Sequence, residues 1–464
     1  MLKDARGNDV TTDNPVAVAA INKMVDQWLG YGQAASAVFE GVAADPRCVM
    51  ALTLGAVLNL CLESAAGVRA ALPLLQKARL YVNKASRREQ LWLLAVEAWA
   101  KGDTDLAVRL HLDIAEGWPR DLASVKLCQY HQFNQGDAAG MLAVIDAVLP
   151  AHRDDPHAHG MRAFALEECG RLRDAEMAGR YAVELRRREP WAHHAVAHVM
   201  AAEGRLDEGI DWLESHAETW EDCNSFMLTH NWWHLALMYL DRDDAAGALD
   251  LYDQRVWGVW KDYSQDQVNA ASLLWRLDLR GVPVGNRWRD VARHVAAREA
   301  DHLEPLLDLH YLMALLRAGM DGQANRLIAA IEAQAAKARR HRRAAWAEVA
   351  AVAAHALADH AHGRFAEAAA ALEPILPRLS LLGGSHAQRD LLVQTYVDAG
   401  LKSRRAGDAP ASGLGALLRE RARSRPTVAR HFRDLACLAR LDGAIPSAVA
   451  AEHRAEALAR TYAV

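Results

Sequence analysis

The sequence predicts an all-α chain, a tetratricopeptide-type α-solenoid of stacked helical hairpins, on three observations. Gly102, Gly136, Gly170 and Gly204 stand in similar settings, each 34 residues from the next. Pro156 and Pro190 repeat the same step, which is the tetratricopeptide period. Alanine is abundant and no long run of Val, Ile and Thr alternates, so helices are favoured over strands.

Each unit has the same internal logic. A first helix ends and a glycine takes the positive φ that closes the turn. An Asp or Arg then opens the second helix. Five residues after the glycine stand Ala107, Ala175 and Gly209, small residues where two helices approach closely, with Met141 as the exception. Before this block, Val49–Leu62 and Ala70–Val82 read as two amphipathic helices. After it, Asn325–Lys337 and the hairpin around Gly363 read as further units, and a final helical pair follows Pro426. The Gly/Ala/Pro-rich stretch Ala406–Gly415 reads as a linker. The expected organisation is therefore N-terminal hairpins over 1–87, regular repeats over 88–260, further repeats over 261–405, and linker plus terminal pair over 406–464.

Composition narrows the function. The net charge of −5 argues for no nucleic-acid partner, because such a partner calls for a concentrated basic surface. The runs Arg186–Arg188 and Arg339–Arg343 are short and read as solvated helix ends. The absence of a long apolar stretch argues for no membrane, and the six scattered cysteines read as reduced thiols of a cytoplasmic protein. Open repeat ends suggest a homodimer.

Chemistry gathers in the middle. WAHHAVAHVM carries His194 and His198, and HNWWHLALMYL carries His230 and His234. Each pair is spaced i, i+4, so each lies on one helix face. The pairs are 36 residues apart, about one repeat, so four imidazoles are expected to converge. The register has an ambiguity: matching second helices, Gly209 with Ala248, gives a step of 39, which places about three extra residues in the second turn. Asp308 and His310, in an otherwise apolar helix, and Gln388, Arg389 and Asp390 are candidates for the same patch, with Trp233 among the residues walling it. Two readings stand. Imidazoles at i and i+4 share a divalent metal, with His194, His198, His230 and His234 as ligands. Alternatively, neutral imidazoles hold and move a proton without metal. The plain alternative is that each ring is spent on its own packing. HExxH is absent, since Ala195 and Asn231 stand where its Glu would be. The cluster His355, His360 and His362 reads as solvated.

The phrases HAVAH, LTHNWWHLAL, ALDLYD, LLWRLDLRGVPVGNRW and LGGSHAQRD resemble the tetratricopeptide repeat protein 38 family, most clearly from Trp191 to Val393. The resemblance implies a cytosolic helical-repeat protein and carries no settled reaction. Positions matching its phrases include Asn231, Asp253 and Arg276, beside the His and Asp residues above and Gln388, Arg389 and Asp390. The expected function is an internal His/Asp-lined pocket for a small polar ligand, with hydrolase or lyase chemistry on His194, His198, His230, His234, Asp308 and His310 as its catalytic form. The alternative is an interaction scaffold with a concave peptide groove and no catalysis.

Overall fold

The computed structural model describes residues 1–298, 300–408 and 411–462. Among them the regular structure is helical, apart from one short antiparallel pair, Leu2–Lys3 with Asp9–Val10. The fold is the all-α, tetratricopeptide-type arrangement of antiparallel helical hairpins. No described helix is long and apolar enough to cross a membrane. The chain divides into two compact units, residues 1–196 with 216–227, and 197–215 with 228–464. The division runs through the helix Pro190–Glu203.

The first unit stacks Arg87–Ala100 on Thr104–Gly117, Leu122–Asn134 on Ala138–Val148, and Pro156–Glu168 on Leu172–Leu185. The first helix of each pair touches neighbours on most sides; Leu122–Asn134 buries nine of its thirteen residues. The second helix buries a stripe only: Ala175, Ala178, Gly179 and Ala182 in Leu172–Leu185, spaced three and four apart. Asp103 and Asp137 accept hydrogen bonds from the N–H groups of Leu106 and Gly140, which caps two second helices. Gly102, Gly136 and Gly170 all take φ near +70°, as the turn requires.

In the second unit, Ser225–Asp241 packs with Ala245–Leu251, which runs on into a π turn at Tyr252–Val256. Next come Ser264–Leu279 with Arg287–Val295, and Pro305–Arg317 with Asp321–Lys337. Ala351–Ala361 with Phe365–Leu372 follows, then His386–Ala406, Leu414–Ser424, and the pair Ala429–Leu441 with Ile445–Tyr462.

Three expectations change. Of the three extra residues of the second His hairpin, two lengthen the first helix and one the turn: the helix runs to Asp241 rather than ending at the equivalent of Glu203, and residues 242–244 form the turn against 204–205. Asp243, at φ 73°, stands where the other turns use glycine. Of the described residues of the expected linker only Ala406, Leu414 and Gly415 are helical, but an unexpected further helix, Leu414–Ser424, stands between it and the final pair. Gly407 closes His386–Ala406 in the left-handed region, and Leu414–Ser424 puts Leu414 and Leu418 into the core. Ala409 and Pro410 lie outside the described residues. Finally, His360 is buried rather than solvated, with Nε2 2.7 Å from Asp398 Oδ2.

Candidate functional site

The helix Ser225–Asp241 sets His230 and His234 one turn apart on a buried face. The next first helix, Ser264–Leu279, carries a buried polar stripe at Asp266, Asn269, Ser272 and Arg276, with Ser264, Gln265, Gln267 and Asp278 as its other polar residues. The two faces meet in a directed chain of hydrogen bonds. Asn269 Nδ2 donates to Thr229 Oγ1 at 3.2 Å, and the Thr229 hydroxyl donates to Asp266 Oδ1 at 3.2 Å. Asp266 Oδ2 accepts from the backbone N–H of Trp260 at 3.1 Å.

This direction turns the amide oxygen of Asn269 toward His230, 2.9 Å from Nδ1. An oxygen there accepts, so Nδ1 carries the proton and Nε2 of the neutral ring is a lone pair. His234 Nε2 lies 3.3 Å from it and donates. The His198 ring centres 4.5 Å from that of His234. Trp233 stacks on His230 at 5.1 Å and meets His234 edge-on at 4.7 Å. Burial pushes the His230 imidazole down to about 3, against the Asn269 hydrogen bond, so the ring is neutral at physiological pH.

Arg276 extends the site. Its guanidinium sits 5.4 Å from the Trp233 ring and donates to the Ser272 hydroxyl and to Ala387 O, the latter at 2.5 Å. It is 2% exposed and has no carboxylate at ion-pair distance among the described residues. Burial lowers it to about 10, against the negative charges of Asp390 and Asp241. His310, on Pro305–Arg317, donates Nδ1–H to Leu306 O at 2.7 Å, and its Nε2 has no partner. Burial, then the positive charge of Arg276, lowers His310 to about 4. Trp233 Nε1, both polar atoms of Asn231 and Asp308 Oδ1 are likewise buried without hydrogen-bond partners. The other Asp308 oxygen lies 2.6 Å from His302 Nδ1, and His302 holds a left-handed backbone, φ 43°.

The remaining candidates make the following contacts. Gln388 completes a capping box with Ser385 at the start of His386–Ala406. Arg389 donates to Gly384 O and lies 3.2 Å from His386 Nδ1. Asp390 pairs with Arg421 at 2.5 Å and accepts from Gln394, partners that outweigh burial and hold its carboxyl well below the usual range. Asp253 is exposed and pairs with Arg287 at 2.8 Å, away from any interior patch. His194 belongs to the first unit, stacked on Trp191 at 4.5 Å with Phe164 at 5.2 Å. Thr229, Asp266 and Asn269 are additions that the sequence reading overlooked. The signal was present: polar residues at steps of three and four along one helix.

No family model matches the chain. Solved structures similar to it include the human IFIT1 dimer with PPP-AAAA, at 14% identity over 97% of this chain and 95% of that one, TM-score 0.41. The human IFIT1 dimer with m7Gppp-AAAA matches at 15% identity over 97% and 95%, TM-score 0.40. Naa15/Naa10 bound to HypK-THB matches at 10% identity over 96% and 88%, TM-score 0.23. At these scores the likeness identifies no ligand for this chain. One expectation nevertheless falls. The IFIT1 structures carry nucleic-acid ligands, so the exclusion of nucleic acid drawn from an acidic net charge is withdrawn.

Proposed function

We propose that this chain is a tetratricopeptide repeat protein 38 relative whose second unit binds a small, negatively charged polar ligand beside Arg276 and His310, with the His230–His234 pair handling its proton. The observation that carries the reading is the buried guanidinium with no carboxylate at ion-pair distance, the charges of Asp390 and Asp241 acting on it only from farther away. A buried charge held this way is costly, whereas an apolar side chain of equal bulk is free of that penalty. Orphan polar atoms on neighbouring helices (His310 Nε2, Trp233 Nε1) call for a partner of their own. A bound carboxylate or phosphate answers both.

The ligand would also supply what the histidines lack. As a neutral imidazole near 3, His230 is a weak base at pH 7. An anion nearby favours the imidazolium and brings its pKa back toward the ordinary range, where general acid–base work is efficient. The Asp266–Thr229–Asn269 chain keeps Nδ1 protonated throughout, so exchange takes place at the Nε2 atoms.

The test is a thermal-shift screen of small carboxylates and phosphates on wild type and Arg276→Met. We expect an anion to raise the wild-type Tm. Arg276→Met should abolish that shift while raising the Tm of the ligand-free protein. An anion-induced shift that survives in Arg276→Met, or a panel that leaves wild type unmoved, would sink the reading.

A metal form of the site has its own observation. Two Zn–N bonds of ~2.05 Å at the tetrahedral angle span about 3.3 Å. That matches the Nε2 separation of His230 and His234, 3.3 Å. Asn269, holding Nδ1, is the orienting partner that such a ligand needs. Elemental analysis of protein made without a His-tag decides: about one equivalent of zinc, lost in His230→Ala, supports metal, and substoichiometric metal removes it.

A further inference from the structure

Among the C-terminal helices of the second unit lies a small cavity walled by charge. Asp241 ends Ser225–Asp241, and Arg280 follows Ser264–Leu279. Arg421 comes from Leu414–Ser424, and Arg430, His431 and Asp434 come from Ala429–Leu441. These six residues line a space of about 20 Å³.

The charges there do not balance. Asp434 Oδ1 accepts from Arg430 Nε at 2.7 Å, and Asp390 Oδ1 accepts from Arg421 Nη1 at 2.5 Å. Asp241 is shared: Arg425 donates to one of its oxygens, and Arg280 Nη2 reaches the other at 3.4 Å. Four guanidiniums thus divide three carboxylates. Among the described residues none of the four pairs with a further carboxylate. The deficit shows in atoms as well as in charge. Arg280 Nε and Arg425 Nε are buried with no hydrogen-bond partner, as is Nδ1 of His431, a residue 3% exposed. An arginine N–H can only donate, so what is missing is an acceptor. The field at the His431 ring has the same sign. After burial, the charges of Arg421 and Arg425 push its pKa down, ahead of the opposing Asp241 and Asp390.

Size selects the acceptor. About 10–15 Å³ of such room holds one water. At about 20 Å³ the cavity takes one particle a little larger than water, and no molecule that carries a carboxylate or phosphate. A water would fill the space and leave the surplus charge buried; a monatomic anion removes both deficits.

We propose that this cavity holds a chloride ion as the fourth counter-charge, and that the ion ties Leu414–Ser424 and Ala429–Leu441 to the hairpins before them. Arg280 belongs to an earlier hairpin, and Arg421, Arg430 and His431 belong to the two later helices, so one anion answers donors on both sides. The ion can exchange with solvent, since the side chains of Arg421 and Arg430 are 16% and 26% exposed. The site is separate from the ligand proposed beside Arg276, a residue that does not line the cavity.

The experiment has two readouts on the full chain. One is the chlorine NMR linewidth of sodium chloride solutions. The other is hydrogen exchange by mass spectrometry over 414–441, in chloride and in gluconate (too large for the cavity) at equal ionic strength. Wild type should broaden the chloride line saturably, and 414–441 should exchange more slowly in chloride than in gluconate. His431→Glu supplies the missing carboxylate in place, so it should lose the broadening and exchange alike in both salts. Arg425→Met balances the charges by removing one guanidinium, and it should behave the same way if His431→Glu does not fold. Arg276→Met should keep both chloride responses, so a failure of the Arg276 reading leaves this one standing. A chloride line left at its buffer width by wild type, equal exchange of 414–441 in the two salts, or excess broadening kept by a folded charge-balanced variant would overturn the proposal.

Discussion

At the scale of single residues, the second unit turns on Asn269. Its amide has one orientation that satisfies both neighbours, with Nδ2 on Thr229 and Oδ1 on His230, and that orientation dictates the tautomers of two imidazoles. Long-range nitrogen–proton spectra of histidine-labelled protein should therefore show His230 protonated at Nδ1 and His234 at Nε2. Asn269→Leu leaves the Nδ1–H buried without an acceptor, a loss of about 1–3 kcal/mol. Asn269→Asp keeps an acceptor and adds a negative charge, so the His230 titration should move up from about 3. An unchanged His230 titration in Asn269→Asp would mean that the two side chains do not touch. The sequence offered the histidines through their i, i+4 spacing, but Asn269 sits 39 residues from His230. Only the packing of one first helix on the next reveals that pair. Gln388 and Asp390 show the converse difficulty: a cap and an ion pair use the same residue types as a site, and spacing along the chain does not separate these uses.

At the scale of elements, the hairpin turns differ more than their shared glycine suggests. Gly102 and Gly204 take nearly the same φ, 70° and 72°. A Cβ on Gly102 meets nothing within 4 Å, whereas one on Gly204 falls 2.4 Å from Thr427 Oγ1, whose hydroxyl bonds Gly204 O. Gly102→Ala should then lose only the left-handed preference, about 1–2 kcal/mol. Gly204→Ala should lose more, because the turn and Thr427 cannot both stay in place. Urea midpoints of the two variants measure the difference, and equal losses would show that Thr427 gives way freely. The turns were legible because glycine, proline and Asp caps are local signals. Two features were not. Asp243 does the work of glycine at φ 73°, and Leu414–Ser424 follows a run of Gly, Ala and Pro that reads as loop. At Asp243 a tertiary contact outweighs propensity, since it is paired with Arg433; Leu414–Ser424 is made of good helix formers and was hidden only by the loop-like run before it, with Leu414 and Leu418 packed in the core.

Across the whole molecule, histidines are kept neutral by burial in both units. Burial holds His111 down to about 4 and His193 to about 3 in the first unit; in the second it holds His230 and His431 to about 3 and His310 to about 4. For a base whose folded pKa is depressed, the unfolded chain binds the extra proton. Stability is therefore complete above the unfolded value near 6.5 and is lost as pH falls below it. At pH 5 each such ring costs about 2 kcal/mol, since 1.5 units separate pH 5 from 6.5. The lowered carboxyls, Asp155 and Asp390 among them, withdraw their support only below about pH 4, so they leave the window from 6.5 to 5 to the histidines. Asp308 and Asp434 are raised and act in the opposite sense, as a partial offset near their own titration. The chain should therefore lose more than 10 °C of Tm between pH 7 and 5, followed by circular dichroism. His310→Leu, which removes one titrating ring and its orphan nitrogen, should flatten that slope measurably while leaving the rest. A flat wild-type profile would mean that these rings are reached by water and already titrate as free histidines. In that case the buried, neutral His230 on which the proton-handling reading depends would be lost with them.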